Sequence, residues 1–266
     1  MKLLVIDCGR INRDGSLLMN DTEMNQMITN QNIKKYLLLS AGLIRHNLKI
    51  IFANKFIYFL SGAVFLYFLI LILGMLNDNS VVDEGQVYNM MMLPGLLLIF
   101  YPMTFGIYND MEAGMMEMLI GIPNYRYKVW LVRLAIIWAL VFLLLSALSF
   151  LTAFLVSEVE IFDMAVQLMY PVFFFGAAAF LTASFVKNGN GSAALMVLIG
   201  MVFWIWSGIL GENRWNIFLN PYDQPADISD NIWLDMIYYN RIFLVCGIIL
   251  ALLGALYRLQ KREKFV

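Results

Sequence analysis

The sequence predicts an all-α polytopic membrane protein with six transmembrane helices and cytoplasmic N- and C-termini. Composition is the first reason. Of 266 residues, 61% are hydrophobic and only 14% charged, too few polar side chains to cover one globular core. Spacing is the second. Six stretches, 57–76, 89–108, 129–156, 165–186, 193–211 and 242–257, match the roughly 20 apolar residues that cross a bilayer, the sixth by drawing on its flanks. These runs are apolar throughout and lack the alternating period of membrane strands, so helices follow rather than a barrel.

Charge supplies the third reason and the orientation, because loops on the cytoplasmic side carry the Lys/Arg excess. With the N-terminus inside, the inner side holds Lys34, Lys35, Arg45, Lys49, Lys55, Arg126, Lys128, Arg133, Lys187, Arg258, Lys261, Arg262 and Lys264, and only Arg214 and Arg241 fall outside. The outer loops are acidic, with Asp78, Asp83, Glu84, Glu158, Glu160, Asp163 and then Glu212 through Asp235. The net charge of −1 thus conceals a segregation of sign across the membrane and points to no nucleic acid.

In chain order, residues 1–32 are polar and aperiodic, which predicts a loosely ordered tail; the apolar start ends at Asp7, too soon for a signal peptide. From 33 to 56, apolar side chains recur at Ile33, Leu37, Ile44, Leu48, Ile51 and Phe52, with Lys35, Arg45 and Lys49 on other faces, the pattern of an amphipathic connecting helix along the inner membrane surface. His46, the only histidine, is expected there beside solvent or headgroups. Pro94, Gly95 and Pro102 in the second span and Pro171 in the fourth predict bends or interrupted hydrogen-bond ladders. Gly176, Ala177, Ala178 and Ala179 offer a small face for close helix approach.

The run KNGNGS (187–192) reads as a tight turn, its glycines supplying positive backbone angles and Ser192 capping the next helix. Between spans five and six, Ile228, Ile232, Trp233, Met236 and Ile237 fall at helical spacing, which predicts one or two short outer helices within 212–241, separated by Pro221 and Pro225. Cys8 and Cys246 belong at different depths, so neither a disulfide nor a metal pair is expected, and Cys246 reads as a small packing residue.

Several chemistries are missing. There is no GxxxxGK[ST] phosphate loop, no HExxH, no His/Cys cluster and no Ser/His dyad. Acids, lysines and histidines are absent from the middle of the spans, and Arg133 is close enough to an end to snorkel, which disfavours ion-driven transport. Met90, Met91, Met92 and Met103 offer soft sulfur to cuprous ions, but flexible apolar filler explains them more simply.

The informative segment is YNDMEAGMMEMLIGIPNYRYKVW (108–130), which sets three acids, two glycines, a proline and bases between two spans. Met111, Met115, Met118 and Ile122 form one apolar stripe on a short helix over 109–122, flanked by Asp110, Glu112 and Glu117 and ended by Pro123. Such a helix joined to two spans is a lever for a soluble partner. The spacing resembles the signature of type-2 ABC transporter permeases, acid-x-acid-x-Gly-Thr-x-Glu-x-Leu, then Pro four residues on and Arg three after that. Asp110, Glu112, Gly114, Glu117, Leu119, Pro123 and Arg126 match it; Met115 stands where the family often has Thr and Met111 where it often has a base. Asn220-Pro221-Tyr222 and Asn240-Arg241 resemble weaker features of the same family.

That resemblance, over about 33–264, implies an ABC-2-type transmembrane domain acting as an exporter permease in the bacterial cytoplasmic membrane. It would work as a dimer of two permease copies, its coupling helix docked on a separate ATP-binding cassette subunit. ATP and Mg would bind that ATPase, with no cofactor held by this chain directly and no catalytic residue in it. Among the seven matched residues, Glu112, Gly114 and Glu117 would contact the ATPase. The inner bases would also sit against anionic membrane lipid. The competing readings are a membrane anchor or scaffold in a secretion, motility or maturation assembly, and a secondary transporter.

Overall fold

Every apolar run of the sequence becomes one helix. A computed structural model describes residues 56–77, 83–112, 125–156, 159–186 and 188–260, all in the second of two units of the chain, Ile50–Val266. The helices are α1 (Phe56–Asn77), α2 (Glu84–Glu112), α3 (Tyr125–Leu155), α4 (Ile161–Phe185), α5 (Gly189–Leu210) and α6 (Asp230–Gln260), with no strand among the described residues. All six are long and apolar enough to cross a membrane, as expected of an integral membrane protein. The predicted tail and all of the connecting helix over 33–56 except Phe56, which begins α1, lie outside the described residues, and so do His46 and Cys8.

Successive helices run antiparallel. Phe59 in the first turn of α1 stacks on Tyr101, late in α2, at 4.7 Å, while Gly74 at the other end of α1 meets Met90 early in α2. α2 and α4 form the centre: 67% and 61% of their membrane-length windows are buried, against 6% for α5. The small face of α4 makes this possible, since a methyl group on Gly176 would lie 2.6 Å from Cγ1 of Ile99 in α2. Leu98, Ile99 and Met103 of α2 meet Leu168, Val172 and Ala179 of α4 in one core with Val141 and Leu145 of α3. Met91, Met92 and Met103 are buried there as packing atoms.

Several local expectations are corrected. The N-terminus of α5 is capped by Asn188, whose side chain accepts from Asn190 N at 3.0 Å, and Ser192 is buried inside α5 instead. Gly189 and Gly191 do not have positive φ; a side chain on Gly189 would come within 2.9 Å of Phe105, so close approach to α2 is what glycine permits there. Arg133 is buried beside Gly106 and lies over the Trp130 ring at 5.7 Å. Cys246 faces outward from α6 and packs nothing away. Pro94 and Pro102 lie inside α2 and Pro171 inside α4, each of which continues past its prolines as one helix.

The largest difference lies before the last span. Residues 211–229 form turns, and the stretch from 230 to 241, expected as a separate outer helix, is the beginning of α6. No proline or glycine stands between Asp230 and Cys246, so nothing stops the helix from continuing through the polar zone. Hydropathy marked where α6 enters apolar surroundings and not where it starts.

Candidate functional site

Residues 211–229 cross one end of the bundle without regular structure, so their backbone groups need other partners. Asparagines provide them. Asn216 Oδ1 accepts from Ser207 Oγ at 2.7 Å and from Phe218 N at 3.0 Å, while its Nδ2 donates to Gly211 O at 2.6 Å. This seals the end of α5, where Gly211 takes a φ of 55° that favours glycine. From α6, Asn240 Nδ2 donates to the carbonyls of Arg214 at 3.0 Å and Asn216 at 2.7 Å.

The next three residues fasten the segment to α2 and α4. Asn220 Nδ2 donates to Gly85 O at 2.9 Å, and its Oδ1 accepts from Tyr222 N at 3.1 Å. Tyr222 donates its hydroxyl to Asp163 Oδ2 at 2.6 Å, and Tyr88 OH reaches Leu219 O at 3.4 Å. Trp233 Nε1 closes the arc on Pro221 O at 3.1 Å. Burial pushes the Tyr222 phenol well above its ordinary value; its bond to Asp163 and the charges of Asp163 and Glu84 push the same way.

Beneath this cap lies Arg241, 7% exposed. Its hydrogen-bond partners are neutral: Nε donates to Gln167 Oε1 and Nη1 to Asn240 Oδ1, each at 3.0 Å, the Tyr88 hydroxyl of α2 also faces the guanidinium, and Nη2 is enclosed without an acceptor in good geometry. The guanidinium also lies 5.1 Å above the Tyr170 ring. The structure therefore brings together Asn220, Tyr222, Asn240 and Arg241, residues to which sequence reasoning gave little weight. A signal was available: Trp233, Ile237, Arg241, Leu244 and Ile248 fall four, four, three and four apart, so the arginine lies on the apolar stripe of α6.

Two openings flank the core. A recess of about 460 Å³ between α1, α2, α5 and the cap is lined by Ile70, Asn89, Met92, Trp204, Ser207 and Phe218, which include no ionisable side chain. A groove of about 580 Å³ between α3, α4 and α6 is lined by apolar side chains such as Trp138, Phe142, Phe173 and Ile248, with Trp138 stacked on Phe173 at 4.3 Å.

Of the motif residues, Asp110, Glu112 and Arg126 stand at the opposite end of the bundle from the cap. Asp110 belongs to the last turn of α2, and Glu112, its final residue, is exposed. Gly114, Glu117, Leu119 and Pro123 lie outside the described residues; Arg126 is in the first turn of α3, its side chain outside the description. The predicted helix over 109–122 thus begins as a continuation of α2, with the rest outside the description. No family model, curated protein or solved structure matches the chain.

Proposed function

We propose that this chain is the transmembrane permease subunit of an ABC exporter in the bacterial cytoplasmic membrane, paired with a second copy and driven by separate ATPase subunits. One observation carries the reading: α2, the most buried helix, runs without a break from Gly85, bonded to the cap, to Glu112 in the acid-x-acid-x-Gly motif. A partner that grips the motif therefore holds the end of the helix around which the bundle packs. With a rise of 1.5 Å per residue, its 29 residues reach about 43 Å, enough to link the two sides of a bilayer.

The permease role also accounts for the uneven burial. α5 shows most of its surface, including Trp204, Trp206 and Ile209, and borders the uncharged recess. In a dimer, two such recesses facing each other would form the pathway. Nucleotide binding in the ATPase then shifts the balance between two states of the bundle.

The test is purification of the full chain with its native neighbours. The reading expects an ATPase in the complex, and it expects Glu117→Arg to abolish transport-coupled ATP hydrolysis while the chain still inserts and elutes as wild type. Recovery without any ATPase, or coupling unchanged by the charge reversal, overturns it and leaves the scaffold reading.

A further inference from the structure

The groove between α3, α4 and α6 ends one helical turn from Arg241. Val245, four residues along α6 from Arg241 and on the same face, lines the groove, and so does Tyr170, whose ring lies against the guanidinium. The walls are apolar, and the opening lies along the membrane-length parts of three helices. Outside the lining, on the cap side and against the Tyr170 ring, stands a buried cation that cannot lose its proton and whose hydrogen-bond partners carry no charge. A buried charge of this kind is costly unless an opposite charge offsets it.

We propose that this groove holds one acyl chain of an anionic glycerophospholipid, drawn from the leaflet at the capped end, with its headgroup phosphate paired electrostatically with Arg241. The two features select different parts of one molecule. An apolar groove facing hydrocarbon accepts a tail of any lipid, since void space there forfeits dispersion contacts. The arginine discriminates by headgroup charge, and in low-dielectric surroundings it does so even without direct contact by Nη2. The lipid would act as a resident wedge between α3 and α6. This inference does not depend on the exporter reading.

The experiment reconstitutes the full chain with equal amounts of phosphatidylglycerol and phosphatidylcholine, extracts it in mild detergent and reads retained lipid by native mass spectrometry. Wild type is expected to retain one lipid per chain, with phosphatidylglycerol favoured by about fivefold, the ratio one basic side chain near a headgroup supports. Arg241→Gln should keep an adduct but lose the preference, and Arg241→Lys should restore it. Ala139→Trp, which fills the groove and leaves Arg241 in place, should lose the adduct for both headgroups while eluting as wild type. Should Arg241→Gln fail to fold, wild type, Arg241→Lys and Ala139→Trp decide the matter alone. No retained lipid in wild type, equal retention of the two headgroups, or an undiminished adduct in Ala139→Trp overturns the proposal.

Discussion

Replacing Tyr222 with Phe removes one hydroxyl and isolates one question: how firmly the cap is tied to α4. The bond to Asp163 Oδ2 is 2.6 Å long and has a carboxylate acceptor. Hydrogen bonds to charged groups contribute about 1.5–3 kcal/mol. Both residues are only partly buried, so water competes for the carboxylate and the expected loss falls to about 1–2 kcal/mol. The remaining Tyr222 contacts, its backbone N–H to Asn220 Oδ1 and its ring against Tyr88 at 6.0 Å, survive in Phe. Reversible unfolding of wild type, Tyr222→Phe, Asp163→Asn and the double variant in mixed micelles gives the coupling energy of the pair. A coupling of about 1 kcal/mol, with faster amide exchange confined to 218–222, supports the tie. Coupling below about 0.3 kcal/mol, or exchange that rises evenly along the chain, would refute the claim that this bond holds the cap.

Four further outcomes follow from the same geometry. Gly176→Ala puts a methyl group 2.6 Å from Ile99 and should cost about 1–3 kcal/mol by overpacking, whereas Gly62→Ala, with open space around it, should be neutral or stabilising in the same unfolding assay. Asn216→Ala deletes three hydrogen bonds at the end of α5 and should lower stability by about 2–3 kcal/mol, with amide exchange rising first at Phe218. Tyr222 keeps its proton in the folded state to a pH at which the unfolded chain, with its ordinary value of 10.0, has lost it; its stabilisation is complete below pH 10.0 and declines above it, so the gap between wild type and Tyr222→Phe should narrow in alkaline unfolding titrations. Pro102→Ala restores an N–H able to reach Leu98 O and should raise unfolding stability by about 1–2 kcal/mol, less than the full helix penalty of proline because the site is packed; on the exporter reading it should also slow coupled ATP hydrolysis by stiffening α2.

The six helices were legible because a bilayer-length apolar run has almost no alternative structure, and the small face of α4 was legible because four consecutive small residues permit close approach. The cap was not. Its ties to α2 and α4 join residues far apart in sequence: Asn220 donates to the Gly85 carbonyl and Tyr222 to the Asp163 carboxylate, pairs that no local period reveals. Arg241 was placed outside the membrane because charge counting assigns bases to loops, whereas α6 begins eleven residues earlier and carries the arginine into the bundle. Conversely, the motif at 110–126 was the clearest signal in the sequence, and the structure describes only its margins in α2 and α3.

The two ends of α2 connect these observations. At one end the helix takes its first turn from Glu84 and gives Gly85 O to the cap; at the other it presents Glu112. Between them, Pro94, Gly95 and Pro102 are all buried, so where the prolines withhold ladder hydrogen bonds the helix is supported by packed neighbours. Gly95 shows how close those neighbours are, for a methyl group there would stand 3.1 Å from Val172 and 3.2 Å from Leu145. A helix weakened at two points and braced by α3 and α4 transmits force while the packing is intact and bends when it separates. On the exporter reading, a pull on the motif end would have two outcomes set by packing: rigid displacement that strains the Asn220 bond to Gly85, or bending near Pro102 that leaves the cap closed. On that reading the prolines, nearer the middle than either end, would let one helix serve both, with the close approach of Gly176 in α4 to Ile99 in α2 deciding between them.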